Sequence, residues 1–374
     1  MANSIEPRVV HLICASGFYG AERVVANLCA ALGSLDTSVL CLTKNLESID
    51  VFKQHVVNAD REFHTTSNTV SEAMSALKAI KCDHENFVIH AHGYKEIVIA
   101  CFFQRLHGAS VIVSQHGFTA RNLKSRIYNW IDMAFCRWAN IHQILCVSSD
   151  IQNRYQRFGV DKSRLVLLPN GVPTPKNFDS AHAKVRITDE LAITKDASIV
   201  LYAGRLSEEK DPILFINTIE KLILSGQHVV AVIAGEGPLE GEVKQAISDK
   251  GLNQHVKMLG FVENIEDLLL AADILLLTSH TEGTPMIVLE AMMRQCVVVS
   301  TRVGGMPSII PNNQCGLIAD GRDAKAIAAE CAKLLDKPST HADIANAGAE
   351  RINEYYSLNS QLEGYRQRYR ECCQ

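Results

Sequence analysis

The feature that most constrains this chain is an alternation of short apolar runs with longer amphipathic segments, which occurs twice along the sequence. In the first half the apolar runs predict strands at residues 8–14, 38–43, 87–92, 110–114, 141–147 and 165–168. In the second half they predict strands at residues 198–202, 228–234, 255–259, 274–278 and 297–300. Helical periodicity follows at, for example, residues 21–32, 70–80, 212–224, 239–250, 285–294 and 324–335. Apolar strands joined by helices are typical of a parallel sheet that helices cover on both faces.

A proline-rich stretch separates the two halves. Residues 169–184, PNGVPTPKNFDSAHAK, hold three prolines and the turn-forming pair Asn170-Gly171 and show little periodicity. We therefore predict an α/β protein with two Rossmann-like, doubly wound parallel sheets. The predicted parts are an N-terminal domain over 1–170, a linker over 171–196, a C-terminal domain over 197–354 and a last helix at 358–370. A chain of 374 residues is long enough for two such cores.

Composition argues against several classes of protein. The formal net charge of −4 does not suit a globally basic nucleic-acid-binding protein. None of the 12 cysteines forms a CxxC pair and several lie in apolar runs, which predicts reduced, buried thiols rather than disulfides or a zinc site. The N-terminal residues lack the apolar core of a signal peptide, and no run approaches about 18 apolar residues, so we expect a cytoplasmic protein without a membrane span.

The most specific motif is EGTPMIVLE at residues 282–290, which follows an apolar strand and opens a predicted helix with Pro285 in its first turn. The first amides of a helix have no intrahelical partner and bind phosphate oxygens. Here those amides belong to Gly283, Thr284 and Met286. Glu282 and Glu290 are more than a helical turn apart, so they can contact different parts of one elongated ligand. The alternative is a capped surface helix with a solvated Glu290.

A second motif, YAGRLSEEKDP at residues 202–212, ends a strand at Gly204 and places Arg205 and Lys210 in the loop before the next helix. Cations at the carboxyl end of a strand are well placed to neutralise a diphosphate. The alternative is a pair of solvated surface cations, because Glu208 and Glu209 lie beside them.

Glycine loops end other predicted strands. Gly17 and Gly20 follow the first strand in SGFYG, and Gly235 and Gly237 follow a strand of the second half in GEGP. Glycine lets the backbone approach a ligand closely, although the plainer interpretation of each loop is a tight turn. Val262, in the segment GFV, either forms an apolar wall for a nucleobase or packs in the core.

Histidines end two predicted strands of the first half. His116 follows the strand at 110–114, and His90 and His92 lie in and after the strand at 87–92. A histidine at this edge can donate to a sugar hydroxyl or a carbonyl, whereas the plainer interpretation of His90 and His92 is that they are cleft-lining or buried polar residues. We do not expect zinc, because no nearby cysteine or carboxylate completes a ligand set.

In this order the motifs resemble those of the family-4 retaining glycosyltransferases, glycosyl transferases group 1, which have the GT-B fold. The resemblance covers nearly the whole chain and comprises the glycine loop, a strand-end HG, the NG linker, GRLxxxK, GxGP, GFV and E-x7-E. It implies two domains that face each other across a cleft, with residues 355–374 packed back on the first. It also implies transfer from a nucleotide diphosphate sugar, UDP before GDP, to a glycan or lipid-linked acceptor in polysaccharide or lipopolysaccharide biosynthesis.

The resemblance also implies roles for individual residues. The catalytic residues would be His116, Arg205, Lys210 and Glu282. The donor-binding residues would be Gly17, Gly20, Gly204, Gly235, Gly237, Val262, Gly283, Thr284, Pro285, Met286 and Glu290. Because the two cations would stabilise the diphosphate leaving group, no metal or other cofactor is expected, and the implied chemistry is a front-face displacement that retains the anomeric configuration.

Residues 121–164 are locally basic, with eight Lys or Arg against three Asp, and aromatic residues are interleaved with the cations. Such a segment can hold a lipid-linked acceptor at an anionic membrane, here the inner face of the plasma membrane. The alternative is a helix with a buried aromatic face and a solvated basic face.

Other functions are compatible with the same architecture. A nucleotide-sugar epimerase or a phosphorylase would use a similar fold, and a non-catalytic protein could bind nucleotide sugars without reacting them. The combination of E-x7-E with GRLxxxK favours the transferase.

Overall fold

The computed structural model describes residues 6–82, 84–118, 123–175 and 178–373, without the side chains of residues 123–125. The chain divides into two compact units, one formed by Met1–Pro173 with Tyr356–Gln374 and the other by Thr174–Tyr355. The chain therefore passes between the units twice, and it ends in the unit in which it begins.

The first unit is a parallel sheet with helical connections. Its strands are β1 Arg8–Cys14, β2 Thr37–Thr43, β3 Glu62–Ser67, β4 Phe87–Ala91, β5 Ser110–Gln115, β6 Gln143–Cys146 and β7 Leu165–Leu167. Its first six helices are α1 Gly20–Ala31, α2 Asp50–Asn58, α3 Val70–Lys81, α4 Tyr94–His107, α5 Leu123–Trp138 and α6 Ser149–Phe158. The strand order is β3-β2-β1-β4-β5-β6-β7, so the order reverses between β1 and β4.

Successive side chains of a strand point to opposite faces of a sheet. In this sheet both faces carry apolar side chains, and helices pack on both. Val10 and Leu12 of β1 belong to one buried cluster, and Ile13 packs with Val25 of α1 in another. Only β3 of this sheet lacks a counterpart in the sequence prediction. Its sequence, EFHTTS, is mostly polar, because it is an edge strand whose side chains remain exposed or half-buried.

The second unit repeats the arrangement. Its strands are β8 Ser198–Ala203, β9 Val229–Ala234, β10 Val256–Gly260, β11 Ile274–Leu277, β12 Val297–Thr301 and β13 Leu317–Ala319. Its helices are α7 Ser180–Glu190, α8 Pro212–Leu224, α9 Glu240–Asp249, α10 Glu266–Ala271, α11 Met286–Met293, α12 Met306–Ile309, α13 Ala324–Leu335 and α14 Pro338–Tyr355. The parallel strands lie in the order β10-β9-β8-β11-β12-β13, which reverses between β8 and β11. Two Rossmann-like parallel sheets confirm the predicted fold class.

The predicted linker over 171–196 is wrong in its centre, where helix α7 forms and packs on α10. Asp179 caps this helix by accepting a hydrogen bond from the amide of His182 at 2.9 Å. Ala183 and Ile187, one helical turn apart, are buried beneath it. The helix escapes prediction because the prolines just before it dominate the local composition.

The C-terminal helix, α15 Leu358–Glu371, belongs to the first unit and packs on α1. Its Tyr365 and Tyr369 are fully buried. Where the chain re-enters this unit, the amide of Val172 donates to the carbonyl of Tyr356 at 2.9 Å and the amide of Leu358 donates to the carbonyl of Val172 at 2.7 Å. The segments that precede and follow the second unit are thus joined by backbone hydrogen bonds.

Among the described residues, no helix combines the length and the apolar composition that a membrane span requires. All 12 cysteines are free thiols, and seven of them are buried.

Candidate active site

The loops that carry Arg205, Lys210 and Glu282 lie where the second sheet reverses its order. In an open parallel sheet, ligands bind outside the carboxyl ends of the strands at such a reversal. The loop after β8 contains Gly204, Arg205 and Lys210, and the loop after the neighbouring β11 contains Glu282 and Gly283. The two most specific sequence motifs therefore follow adjacent strands.

The GEGP loop after β9 supports the loop of Arg205, and the close packing requires glycine. Gly235 has φ of +150°, and a Cβ there would lie 1.9 Å from the carbonyl oxygen of Gly204. A Cβ at Gly237 would lie 2.3 Å from the carbonyl oxygen of Leu206. These glycines thus fix one backbone loop against another.

The turn that contains Lys210 is stabilised by hydrogen bonds from residues outside it, among them Thr278 next to the end of β11. Asp211 adopts the left-handed backbone region with φ of +46°, which is unusual for a residue other than glycine. The Thr278 hydroxyl hydrogen-bonds to the carbonyls of Lys210 and Asp211, at 3.0 and 2.9 Å. Arg322 donates to the Asp211 carboxylate at 2.5 Å and to the carbonyls of Thr278 and Ser279 at 2.8 and 2.6 Å. The surrounding contacts therefore maintain a strained turn next to Lys210.

Lys210 and Glu282 form an ion pair at the centre of this cluster. The Lys210 Nζ lies 2.7 Å from the Glu282 Oε1, and their side chains are 27% and 6% exposed. The Ser279 hydroxyl donates to the same carboxylate oxygen at 2.5 Å. Burial by itself would lower the pKa of Lys210, but the Glu282 carboxylate outweighs it and the pKa is raised. Lys210 is therefore a cation in a site that is largely shielded from water.

Arg205 differs from Lys210 in its surroundings. Its side chain is exposed, and its guanidinium has no hydrogen bond or ion pair to any residue that the structure describes. Its backbone is fixed, because the Tyr202 hydroxyl donates to its carbonyl at 3.0 Å. The positive charge of Arg205 is thus presented to solvent at the end of β8.

Helix α11 begins at Met286, and Pro285 lies at its N-cap rather than in its first turn as predicted, because its ψ of 118° is extended. The four residues Gly283, Thr284, Pro285 and Met286 are all buried. The turn after β12 supports this entry to the helix. Gly304 has φ of +48°, and a Cβ there would lie 1.7 Å from the carbonyl oxygen of Glu282.

Two further predicted donor residues lie away from the ion pair, Glu290 inside helix α11 and Val262 just beyond strand β10. Glu290 is a buried residue of α11, and its carbonyl accepts a hydrogen bond from Arg294 at 3.1 Å. Val262 is half-buried just beyond β10, after the exposed Phe261. The amide of Phe261 donates to the Glu236 carboxylate at 3.2 Å, which joins this segment to the GEGP loop.

In the first unit, Gly17 and Gly20 lie beyond β1, beside the reversal of strand order. Gly20 is the first residue of α1. Two buried carboxylates hold this loop: Glu22 accepts from the amide of Tyr19 at 3.1 Å, and Glu96 accepts from the amide of Cys14 at 2.5 Å. Burial raises the pKa of Glu22 to about 7.

His116 follows β5 in the same unit. Its Nε2 lies 3.0 Å from the Nδ1 of His92, and burial lowers the pKa of His116 to about 4. The preceding Gln115 anchors the loop, because its amide donates to the buried Asp132 carboxylate at 2.7 Å. The amide of Gly117 donates back to the Gln115 side-chain oxygen at 3.3 Å.

His92 also contacts a histidine that the motifs do not reveal. The Nδ1 of His11 lies 3.0 Å from the Nε2 of His92. His90 is a buried polar residue, with one nitrogen 2.8 Å from the Ser114 hydroxyl and the other 2.8 Å from the Tyr369 hydroxyl. One ring nitrogen from each of His11, His90 and His92 lies within 4.8 Å of the others, so the only cluster of possible metal ligands among the described residues consists of histidines.

Sequence reasoning missed several residues of these sites. Thr278 ends a predicted strand, and Ser279 and Gly304 follow predicted strands, so the same strand-end rule could have found them. Arg322 follows the three-residue strand β13, which has no detectable sequence signal. His11 lies inside an apolar strand, where a lone histidine is normally a satisfied core residue.

Two family models match the chain. The model described as Glycosyltransferase Family 4 matches residues 18–176, and the model described as Glycosyl transferases group 1 matches residues 184–351. Among solved structures, Anabaena Alr3699/HepE in complex with UDP-glucose has a TM-score of 0.85 and 16% sequence identity, and the match covers 98% of each chain. The fold is that of the GT-B glycosyltransferases.

The chain belongs to the family-4 glycosyltransferases, glycosyl transferases group 1. It is 25% identical over 346 residues to a Campylobacter jejuni N-acetylgalactosaminyltransferase acting on a diphosphoundecaprenol-linked glycan, with 90% of this chain and 91% of the relative covered. It is 26% identical over 310 residues to the GPI3 subunit of a Saccharomyces cerevisiae phosphatidylinositol N-acetylglucosaminyltransferase, with 78% and 67% covered. These relatives do not favour an epimerase, a phosphorylase or a non-catalytic protein.

Proposed function

We propose that this glycosyltransferase transfers a sugar from a UDP-sugar, with retention of configuration and without a metal, to a lipid-linked or other glycan acceptor in polysaccharide or lipopolysaccharide biosynthesis. The observation that carries the proposal is the contact between Lys210 and Glu282, which brings the two most specific motifs together at the reversal of the second sheet. The family assignment gives the reaction class, and the geometry gives each side chain a role.

The leaving group of the reaction is a nucleoside diphosphate, and its developing charge needs fixed cations. Arg205 and Lys210 supply two positive charges from one loop. Lys210 is partly buried, where electrostatic interactions are stronger than in water. The amides of Gly283, Thr284 and Met286 at the start of α11 would add donors to the phosphate oxygens. Together these groups can neutralise the charge of the diphosphate leaving group, which a divalent cation does in other enzymes.

The two glutamates would bind the donor on either side of the diphosphate. Glu282 would accept hydrogen bonds from hydroxyls of the transferred sugar, because it lies beside Lys210. Glu290, farther along α11, would accept from the ribose hydroxyls. Val262 would flank the base, and the glycines Gly204, Gly235 and Gly237 would let the backbone approach the donor.

His116, Gly17 and Gly20 belong to the first unit, at the carboxyl edge of its sheet. We assign the two glycines to the phosphates or the acceptor, and His116 to the sugar being transferred. In a front-face displacement the acceptor oxygen forms a bond to the anomeric carbon on the face from which the diphosphate leaves. The bond from that carbon to the diphosphate oxygen breaks, and the departing phosphate takes the acceptor proton. The cations stabilise that diphosphate and His116 contacts the partly cationic sugar.

The nature of the donor and acceptor is inferred from named relatives. HepE from Anabaena has been solved with UDP-glucose, and an Escherichia coli relative is a UDP-Gal:alpha-D-GlcNAc-diphosphoundecaprenol galactosyltransferase that is 24% identical over 259 residues. The Campylobacter relative also acts on an undecaprenol-linked glycan. A uridine nucleotide and a lipid-linked glycan are therefore the first candidates.

A thermal-shift panel of UDP, GDP and their common sugars tests the donor. A ligand that binds the native state at 100 times its Kd adds about 2.7 kcal/mol to the free energy of unfolding. We expect UDP-sugars to raise Tm, and expect Lys210→Met to abolish the rise. Lys244→Met is the matched control, because Lys244 forms an exposed ion pair with Glu240 on α9. If no nucleotide raises Tm, or if both variants respond alike, the site assignment is wrong.

The stereochemistry and the metal requirement need separate measurements. Slow hydrolysis of the best α-linked UDP-sugar should release the α-anomer first, as proton NMR recorded before mutarotation will show. Activity should persist after EDTA treatment. Initial release of the β-anomer would refute retention, and loss of activity that Mg²⁺ or Mn²⁺ restores would refute metal independence.

A second proposal concerns the basic segment 121–164, whose residues 121 and 122 and the side chains of residues 123–125 lie outside the part that the structure describes. We propose that helix α5 contacts an anionic membrane. Its Ile127, Trp130 and Trp138 are exposed, the two indoles by 55% and 66%. At about 100° per residue they fall within an arc of about 80°, and the exposed Arg126 and Arg137 lie to one side.

Part of the basic character has a structural role instead. The guanidinium of Arg164 donates to the carbonyls of Ala139 and Ile141, both at 3.0 Å, at the end of α5. Arg154 pairs with Asp150. Membrane contact therefore depends on the exposed face of α5 rather than on the whole segment.

Flotation with phosphatidylcholine vesicles, with and without phosphatidylglycerol, tests this contact. We expect binding that needs the anionic lipid, weakens with salt and falls in Trp130→Ala. Leu224→Ala is the control, since Leu224 is an exposed apolar residue of the second unit. Equal flotation on neutral vesicles, or none at any ionic strength, would contradict the proposal.

A further inference from the structure

Three histidines form a continuous row inside the first unit. His11 lies in β1, His92 one residue beyond β4, and His116 one residue beyond β5. The Nδ1 of His11 lies 3.0 Å from the Nε2 of His92, and the Nδ1 of His92 lies 3.0 Å from the Nε2 of His116. Three adjacent strands thus contribute one ring each to a row that ends at the carboxyl edge of the sheet.

The rings of this row are neutral at physiological pH. Burial lowers the pKa of His11 to about 3 and that of His116 to about 4. Burial and the neighbouring rings lower the pKa of His92 well below its usual range. A neutral imidazole has one N–H donor and one acceptor nitrogen. Because His92 uses both nitrogens within the row, all the N–H groups must point in the same direction along it.

The two ends of the row together determine that direction. The Nε2 of His11 is buried and has no hydrogen-bond partner among the described residues. The Nδ1 of His116 at the other end is also buried and without a partner among the described residues, so either direction leaves one N–H that needs an acceptor. His116 is half-buried at the carboxyl edge of the sheet, where a ligand can supply that acceptor, whereas His11 is 0% exposed inside β1. The proton of His11 therefore resides on Nδ1 and is donated to His92, which donates in turn to the Nε2 of His116. The remaining proton of His116 must then be on its Nδ1.

We propose that His92, with His11 behind it, is a positioning residue that holds His116 in the tautomer whose Nδ1 is a hydrogen-bond donor. The Nδ1 of His116, one residue beyond β5 at the carboxyl edge of the sheet, is then the donor at the ligand end of the row. The group it would meet is an oxygen with a lone pair, such as a sugar hydroxyl or a phosphoryl oxygen. Only the identity of that oxygen rests on the proposed function.

His90 lies against the row without belonging to it. Its ring centroid is 5.1 Å from that of His11 and 4.2 Å from that of His92. Both of its nitrogens are hydrogen-bonded elsewhere, to Ser114 and Tyr369. It therefore excludes water from one side of the row and does not compete for the protons of His92.

The tautomers can be read directly, without any substrate. Long-range ¹H–¹⁵N NMR of the ¹⁵N-histidine-labelled full chain distinguishes a protonated Nδ1 from a protonated Nε2, and substitution of single histidines assigns the signals. We expect His11, His92 and His116 all to be protonated on Nδ1. A His116 protonated on Nε2 overturns the proposal, as does one-to-one binding of Zn²⁺ that shifts the signals of the row. This readout remains valid even if no UDP-sugar binds.

Two substitutions of His92 separate positioning from simple packing. An asparagine amide reaches the position of the histidine Nδ1 and can still donate to His116, whereas a glutamine amide reaches the position of Nε2 and contacts only His11. We expect His92→Asn to keep His116 protonated on Nδ1, and His92→Gln to give a mixture of tautomers. His228→Asn, at an exposed site of the second unit, is the control.

If the proposed function holds, hydrolysis of the best UDP-sugar adds a kinetic readout. We expect His92→Gln to lower kcat about tenfold, the effect of one lost hydrogen bond in the transition state, with KM for the donor unchanged. His92→Asn should stay within about threefold of the original chain. Equal kcat losses in both variants, with His116 unchanged in its NMR signals, would show that His92 acts by packing alone.

Discussion

The ion pair between Lys210 and Glu282 should contribute measurably to the stability of the second unit, and a double-mutant cycle isolates that contribution. The variants are Lys210→Met, Glu282→Gln and the two combined. The matched control is the cycle on Glu240 and Lys244, a pair with the same chemistry and a 2.6 Å contact, but with side chains 41% and 62% exposed.

The expected coupling follows from distance and burial. Two unit charges about 4 Å apart attract by roughly 4 kcal/mol at an effective dielectric constant of about 20. Desolvation of both groups cancels much of this attraction, so we expect about 1–2 kcal/mol for Lys210 and Glu282. The exposed pair should give about 0.3–0.5 kcal/mol. The assay is urea unfolding of the full chain, followed by circular dichroism.

The pH dependence supplies a second check. Burial opposes the charge of Lys210, but Glu282 raises its pKa above the usual 10.5 in the folded chain. A raised pKa stabilises the folded state fully below the unfolded pKa, and the contribution is lost as the pH rises through the folded value. The coupling should therefore be constant from pH 7 to 9 and decline above about 10.5. A coupling no larger than that of the exposed pair would refute the reasoning.

Three further substitutions have defined outcomes. Gly235→Ala should lower Tm by several degrees, because its Cβ would lie 1.9 Å from a neighbouring carbonyl oxygen, whereas Gly241→Ala in α9 has nothing within 4 Å and should raise Tm slightly. Arg322→Met should raise KM for the donor about tenfold, since it releases the turn at Asp211, while Arg302→Met at an exposed pair leaves KM unchanged. Burial raises the pKa of Asp132 to about 6, so this carboxyl destabilises the fold increasingly from about pH 4 to 6. Asp132→Asn should remove that slope. Between pH 4 and pH 7 the free energy of unfolding of the variant, measured in urea, should rise by roughly 2 kcal/mol relative to that of the original chain. An unchanged difference between the two chains would show that Asp132 does not titrate there.

The sequence predicts the parallel sheets well, because their buried strands are continuous apolar runs bounded by glycine loops. The polar edge strand β3, the three-residue β13 and the helix α7 escape, since edges and proline-flanked helices lack that signal. The contact of Lys210 with Glu282 spans 72 residues and could still be anticipated, because both follow strands that a doubly wound order makes adjacent.

Other contacts need the folded chain. The salt bridge of Arg322 to Asp211 joins residues 111 positions apart, and nothing local marks either partner. The pairing of His11 with His92 depends on strand register, which puts His11 opposite His90. Register between parallel strands is set by packing on both faces, so the sequence of one strand does not determine it.

The hydrogen bond between Tyr369 and His90 has a consequence for how the protein is made on the ribosome. Domains fold as they emerge, N-terminal first, yet the earlier unit lacks its last buried tyrosine until residue 369 has been synthesised. The part translated first is thus completed last, after the whole of the second sheet has left the exit tunnel. A nascent chain stalled before α15 would display a first unit that has all its strands but lacks the helix that packs on α1.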